Sequence, residues 1–534
     1  MIPTVQILVL LLIVIAAVAV VARRLKIPAA ILLVITGVIL ALIPGLPTVN
    51  LAPEFVLLIV LPPIIYSSAV AMSWCEFKFN LRPISLLAVG CVLFTTIAAA
   101  AVTHWLLGFS WAVGFVLGSI VSPPDAVAPL SIARRMQLPR RLVVILEGEG
   151  LANDASALIL YRFAVAAVSS SVFSFDKAAG MFAAIIGGEI LWGIGVGWLM
   201  LRLRRWVQDP RIEIMLSIVT PFLAYWPPEH LGGSGVLATV TAGLYISWNG
   251  IKLISAATRL QGIFFWDFLI YMTEGFVFLI TGLEARTLIV GIHGDSLSDQ
   301  AISAAVVCAA VIMARFVWMF PATYLPRWLI PSVARADPSP PWQWIFALAF
   351  VGVRGTVSLA AALAIPLTIE SGALFPERDR ILFLTFSVIL VTLVGQGLML
   401  PTVIRALGLA NAGLRERHAD RLEEFAAGRQ AIEAAMQRLD ELVTERKLTE
   451  DFVRPLRTQH HDRLEAVEHR SDGDEKHKRL IELHDEIECT LISTERQQIN
   501  NLYRGGKVKN EARRRIELEL DLREAQLTNV RAEE

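Results

Sequence analysis

The sequence predicts an all-α polytopic membrane protein of about thirteen transmembrane helices, several of them interrupted, followed by a soluble helical tail. Three observations carry this. Hydrophobic residues make up 55% of the 534, and the mean hydropathy is +0.59, too apolar for a soluble enzyme. Apolar runs fill residues 1–410, whereas 411–534 hold most of the charge, so the formal net charge of zero describes neither part. Arg and Lys sit at 23–26, 78–82, 134–141, 202–211, 252–259, 327–335 and from 405 onward, in every second connection, while the intervening ones are neutral or acidic.

The spans fall near 2–22, 27–43, 51–71, 83–103, 111–133, 142–168, 178–201, 212–227, 233–248, 262–281, 300–325, 343–366 and 382–404. The first contains Ala17-Val18-Ala19, as a signal peptide could, but no Lys or Arg precedes it and Arg23, Arg24 and Lys26 follow it. That is the reverse of a secretory leader, so it reads as a retained span with its N-terminus outside. An odd number of crossings then leaves residues 411–534 in the cytoplasm. Leu422, Phe425, Ile432, Met436, Leu439 and Val443 repeat every three or four residues in this tail, and Leu480, Leu483, Ile487 and Leu491 begin a second such run. A hairpin or coiled coil is expected, serving assembly or regulation.

Pro62-Pro63 are expected to interrupt the third span, and Ser122-Pro123-Pro124-Asp125 the fifth, because proline removes a backbone donor and frees the carbonyl a turn earlier. Glycines around a buried cation, Gly352-Val353-Arg354-Gly355-Thr356, mark the twelfth as a counterpart. Interrupted helices in corresponding positions of two halves point to an inverted-repeat secondary transporter with a mid-membrane site.

Glu147-Gly148-Glu149-Gly150-Leu151-Ala152-Asn153-Asp154 lies inside the apolar run 142–168. A carboxylate at the centre of a span is costly, by about 2.5–3.5 kcal/mol on insertion scales, unless protein or water faces it. On a helix Glu147, Gly150 and Asp154 share one face and Glu149 points elsewhere. Asp154 is the candidate for binding a proton or a small monovalent cation, either of which neutralises it, so that the two compete. Asn153 can shape the cavity but cannot titrate. Asp125 either holds the broken helices by accepting from exposed N–H groups or coordinates the ion; the former is the expectation. Glu149 and Arg354 are expected to pair, since a guanidinium stays charged inside a span. Glu147 is a candidate funnel residue at the cytoplasmic mouth, and Glu274 lies deep enough to stand behind the site.

Cys75, Cys91, Cys308 and Cys489 show no paired spacing, which excludes a disulfide framework or a cysteine metal site. No Walker A motif, catalytic triad or metal-spaced His/Cys cluster occurs, and there is no basic patch for nucleic acid. The expectation is a protein that is not an enzyme and uses no cofactor.

The three motifs, Ser122-Pro-Pro-Asp125-Ala-Val-Ala, Glu147-Gly-Glu-Gly-Leu-Ala-Asn153-Asp154-Ala and Gly352-Val-Arg354-Gly-Thr-Val-Ser-Leu-Ala, resemble in order and separation those of the monovalent cation/proton antiporter-1 family. These are the NhaP-type and NHE-type sodium/proton exchangers, and the bacterial branch with a charged cytoplasmic tail is most similar. The resemblance covers residues 5–410. It implies a homodimer of thirteen-helix protomers in the inner membrane, each with a dimerisation domain and a six-helix core in which two interrupted helices cross. It implies electroneutral exchange of Na⁺, with Li⁺ or K⁺ as alternatives, for H⁺ at Asp154, the residue that would hold the transported Na⁺. It also implies Asn153 in place of a second aspartate, a core ion pair of Glu149 with Arg354, Asp125 at the helix crossing and the Pro124 carbonyl as a backbone ligand. Gly150 stands where the family usually has Ser, and Ser67 follows Tyr66 where many relatives carry an acid; Ser67 is then a substitute neutral ligand. A K⁺/H⁺ antiporter is the alternative within transport. From another class, a channel or a membrane sensor signalling through the tail would share the spans.

Overall fold

Long apolar runs fold as helices because, in hydrocarbon, a helix satisfies its backbone groups within its own segment. The computed structural model describes residues 2–44, 52–170, 175–207, 209–250, 253–286, 297–369, 371–471 and 475–532. Leu51 in the third expected span and Lys252 in a basic connection lie outside them, as does the side chain of Leu480. The chain divides into two units, Met1–Leu414 and Arg415–Glu534.

Each expected span in the first unit holds a helix or a pair of half-helices. Among the described residues eight helices are long and apolar enough to cross a membrane, and Ala29–Ala41 and Trp111–Val121 are shorter apolar ones. Small residues let backbones touch. A β-carbon at Gly282 would stand 2.3 Å from the Val34 carbonyl oxygen, so Ala256–Leu283 packs directly on Ala29–Ala41.

Two segments are broken, and they meet. Trp111–Val121 stops before Ser122, and the chain is helical again at Val127–Arg135. Trp342–Phe350 stops before Val351, and the chain is helical again at Thr356–Leu363. The two breaks are joined by backbone, Asp125 N–H donating to the Val353 carbonyl at 2.7 Å. The approach needs glycine: a β-carbon at Gly355 would overlap the Asp125 carboxylate, 1.6 Å from its Oδ2.

The third segment is not broken at Pro62-Pro63. Both prolines lie in the first turn of Leu61–Ala71, continuous with a wide π-helical turn at Val56–Val60. The wider turn removes the i−4 partners that proline would have taken away.

The second unit consists of helical chain. Its last two helices, Glu475–Arg504 and Asn510–Ala532, form a hairpin about Gly505-Gly506, with Gly506 at φ +71. Ile492 and Leu520 are buried, and Arg496 bridges Asp521 and Glu524 at 2.7 and 2.6 Å. The expected stripe of Leu483, Ile487 and Leu491 is about half exposed, because Ile492 and the ion pairs face the partner helix instead.

Candidate ion-exchange site

Helix Arg140–Ser170 carries the acidic motif past the crossing. At about 100° per residue its carboxylates separate onto different faces. Glu147, Gly150, Leu151 and Asp154 line a cavity of about 130 Å³, room for several waters, whose wall also includes Pro124, Asp125, Glu274 and Thr356. Among the described residues no hydrogen bond or ion pair reaches the Asp154 carboxylate, and the neighbouring charge that acts on it, Asp125, has the same sign. Four carboxylates, Asp125, Glu147, Asp154 and Glu274, face one cation, Arg134, across this space. Such a concave negative field favours a cation. Arg134 and Glu147 pair at 2.7 Å, with Arg134 largely exposed and Glu147 mostly covered, so Glu147 stands at an opening of the cavity.

Asp125 bonds backbone on both sides of the crossing and also faces the cavity. Its Oδ1 accepts from Val127 N–H at 2.9 Å, and Thr356 N–H is a second backbone donor to the same carboxylate. Asn153, fully buried, donates from Nδ2 to the Pro124 carbonyl at 2.7 Å, engaging the carbonyl that the proline break left free. Its Oδ1 is buried with no protein partner among the described residues. Gly150 is explained by contact: a β-carbon there would come within 2.6 Å of the Ala126 β-carbon, so glycine lets the broken segment lie against this helix.

Two sequence expectations are corrected. Glu149 does not pair with Arg354; it pairs with Arg315, Nη2 to Oε2 at 2.8 Å and Nη1 to Oε1, with both side chains at most 2% exposed. Arg315 also donates to the Leu348 carbonyl from Nε and Nη2 at 3.1 and 3.0 Å. Arg354 instead serves the broken helices: Nε donates to the Val121 carbonyl at 2.9 Å and Nη1 to that of Gly352, and its own N–H donates to Thr392 Oγ1 at 2.9 Å. The carboxyl end of Trp111–Val121 offers carbonyls and the negative end of a helix dipole, so the guanidinium there needs no carboxylate. Ser67 does not face Asp154. It lines a different cavity with Tyr66 and Arg204, and its neighbour Ser68, one helical step round, lines the cavity at Asp154. Sequence reasoning passed over Arg315, although the rule that flagged Glu149 applies equally to an arginine in the run 300–325.

Residues 8–406 match the family described as sodium/hydrogen exchanger, transmembrane. The chain belongs to the sodium/hydrogen exchanger family. The exchanger is 33% identical over 513 residues to an uncharacterized Na⁺/H⁺ exchanger of Mycobacterium tuberculosis, covering 95% of this chain and 93% of that one. It is 32% identical over 387 residues to a sodium, potassium, lithium and rubidium/H⁺ antiporter of Bacillus subtilis, covering 70% of this chain and 57% of that one. Its fold is similar to that of the sodium proton antiporter MjNhaP1 of Methanocaldococcus jannaschii, with a TM-score of 0.61 and 19% identity over 76% of this chain and 98% of that one. Family and apolar helices together make the exchanger a multi-pass membrane protein.

Proposed function

We propose that the exchanger is a secondary antiporter, a transporter and not an enzyme, that trades one monovalent cation for one proton at Asp154. The observation that carries this is the Asp154 carboxylate, unpartnered among the described residues, in a net-negative cavity with room for several waters beside crossed half-helices. Proton and cation compete for the same oxygens, and a bare carboxylate is the form that should not cross the membrane, so occupancy couples the two fluxes. Asn153 adds no charge at the neighbouring position, which supports electroneutral exchange. Asp125 and Asn153 shape the cavity, the Pro124 carbonyl is a backbone group of the site, and Glu149 with Arg315 and Arg354 holds the core together. Glu147 serves as a funnel.

The arrangement proposed is thirteen crossings in the inner membrane, with the N-terminus outside and the tail in the cytoplasm, assembled as a homodimer. The alternation of basic connections supports this topology. The cavity at Arg134 would then open to the cytoplasm.

Na⁺ is the expected substrate. A broader cation range including K⁺ and Li⁺ is favoured by Gly150, which brings no hydroxyl to the site, and by the cations for which the Bacillus subtilis relative is named. Proteoliposomes loaded with a pH-reporting dye and pulsed with Na⁺, Li⁺ or K⁺ test the proposal. Wild type should collapse an imposed proton gradient, and Asp154→Asn, inserted at the same level, should not. An Asp154→Asn protein that exchanges like wild type, or a wild type that responds to no cation, would reject it and move the channel or sensor alternative forward.

A further inference from the structure

A second cavity lies apart from Asp154, among helices Phe175–Arg204, Pro210–His230, Val236–Asn249 and Ala256–Leu283 and beside the end of Leu61–Ala71. At about 440 Å³ it is larger than the 130 Å³ of the ion cavity. Its wall is mainly apolar, yet four charged side chains line it: Arg204, Glu213, Arg259 and Asp267. Two cations and two carboxylates sum to zero.

The two inner members are left incomplete. Arg204 is 4% exposed and Glu213 2% exposed, and they form no ion pair with each other. Among the described residues the Arg204 guanidinium reaches only the Tyr66 hydroxyl, at 3.4 Å from Nη2, and its Nε and Glu213 Oε2 are buried without a partner. Withdrawing such atoms from water unpaired is costly, more so for charged groups than for neutral ones. A single occupant that satisfied both would present an anionic oxygen to Arg204 and a cationic donor to Glu213.

Position and surface specify the rest of that occupant. Arg204 ends one helix, Glu213 lies in the first turn of another and Thr258 in the first turn of a third, a level where headgroups meet protein. Beside this polar end, helix Ala256–Leu283 exposes Leu260, Ile263, Phe264 and Phe268, an apolar face suited to acyl chains. We propose that this cavity binds one zwitterionic phospholipid, its phosphate at Arg204 and its ammonium at Glu213, with its chains along the Ile263–Phe264 face. An anionic lipid would leave Glu213 facing negative charge in a wall that has no net positive charge to offset it.

The test is native mass spectrometry of the full chain released from micelles containing equimolar dioleoyl phosphatidylethanolamine and dioleoyl phosphatidylglycerol. Wild type should retain the former over the latter by roughly fivefold. Glu213→Gln should bring the ratio close to parity. If that variant does not fold, Ile263→Trp, at a rim position 63% exposed and so tolerant of bulk, should block the entrance and lower the same adduct. Parity in wild type, or a preference that survives in every variant that folds, would overturn the proposal. Free O-phosphoethanolamine displacing the lipid at equal concentration would assign the cavity to a soluble compound and overturn it too.

Discussion

Glu149 and Asp154 lie on one helix, yet the fold treats them as opposites. Glu149 meets Arg315 through both carboxylate oxygens, buried from water on all sides. Asp154 faces open space with no ion pair among the described residues; three other carboxylates line the same cavity, and its one cation, Arg134, is paired with Glu147. The first carboxylate's charge is compensated permanently; the second's is left for a proton or a cation to compensate in turn. About one and a half turns of helix therefore separate a structural acid from an exchangeable one, and it is the partner supplied from elsewhere in the fold, not the residue type, that distinguishes them.

The sharpest way to break the contrast is at the compensated side. Glu149→Gln strands a fully buried Arg315, and breaking such a pair typically costs about 3–5 kcal/mol. The expected result is a large drop in thermal midpoint in detergent together with lost transport. Arg315→Met added to Glu149→Gln should recover part of that stability, since neither charge is then stranded. Combining Glu149→Gln with Arg354→Met should give no such recovery, because Arg354 answers helix carbonyls rather than Glu149.

Next in size is a change of charge count. Asn153→Asp would place a second titratable carboxyl beside Asp154 and break the bond to the Pro124 carbonyl, since an ionised carboxylate cannot donate. Transport by this variant, where it persists, should respond to an imposed membrane potential, whereas wild-type exchange should not; dye traces with and without valinomycin and K⁺ read the difference. Gly150→Ala tests the contact behind the cavity. Its methyl meets Ala126, an overpacking of about 1–3 kcal/mol, and Ala126→Gly in the same chain should relieve it.

The smallest expected effect separates two adjacent hydroxyls. Ser68→Ala should change the apparent cation affinity by a few-fold at most, while Ser67→Ala, in the other cavity, should leave it unchanged. The reverse outcome would show that the hydroxyl near the ion is the one expected from sequence.

Much of this contrast is written locally. Prolines 123 and 124 announce a break, and the spacing of Glu147, Gly150 and Asp154 puts them on one face, because helical period and proline chemistry are properties of neighbouring residues. Partner choice is not local. For Glu149 the glycine-flanked motif suggested Arg354; only three-dimensional packing shows that Arg354 is already occupied by the carbonyls of Val121 and Gly352 and that Arg315 takes its place. Ser67 failed for a finer reason. One residue of helix rotates a side chain by about 100°, enough to move it between cavities, and the sequence fixes the spacing of the two serines but not the helix's rotation against its neighbours. Pro62-Pro63 read as a break because the π-helical turn that accommodates them leaves no distinct residue signal.

The central claim is that one carboxylate binds either a proton or a cation. Proton release measures this directly: purified protein in weakly buffered detergent solution, with a pH indicator, receives saturating Na⁺, and the protons freed per protomer are counted. Cation binding to a protonated ligand expels that proton, so about one proton per protomer is the upper limit, with release growing as the starting pH is lowered. Asp154→Asn, folded as judged by its thermal midpoint, should release none. Release from Asp154→Asn equal to that of wild type, or a wild type that takes up the cation without releasing protons at any pH, would contradict competition at Asp154.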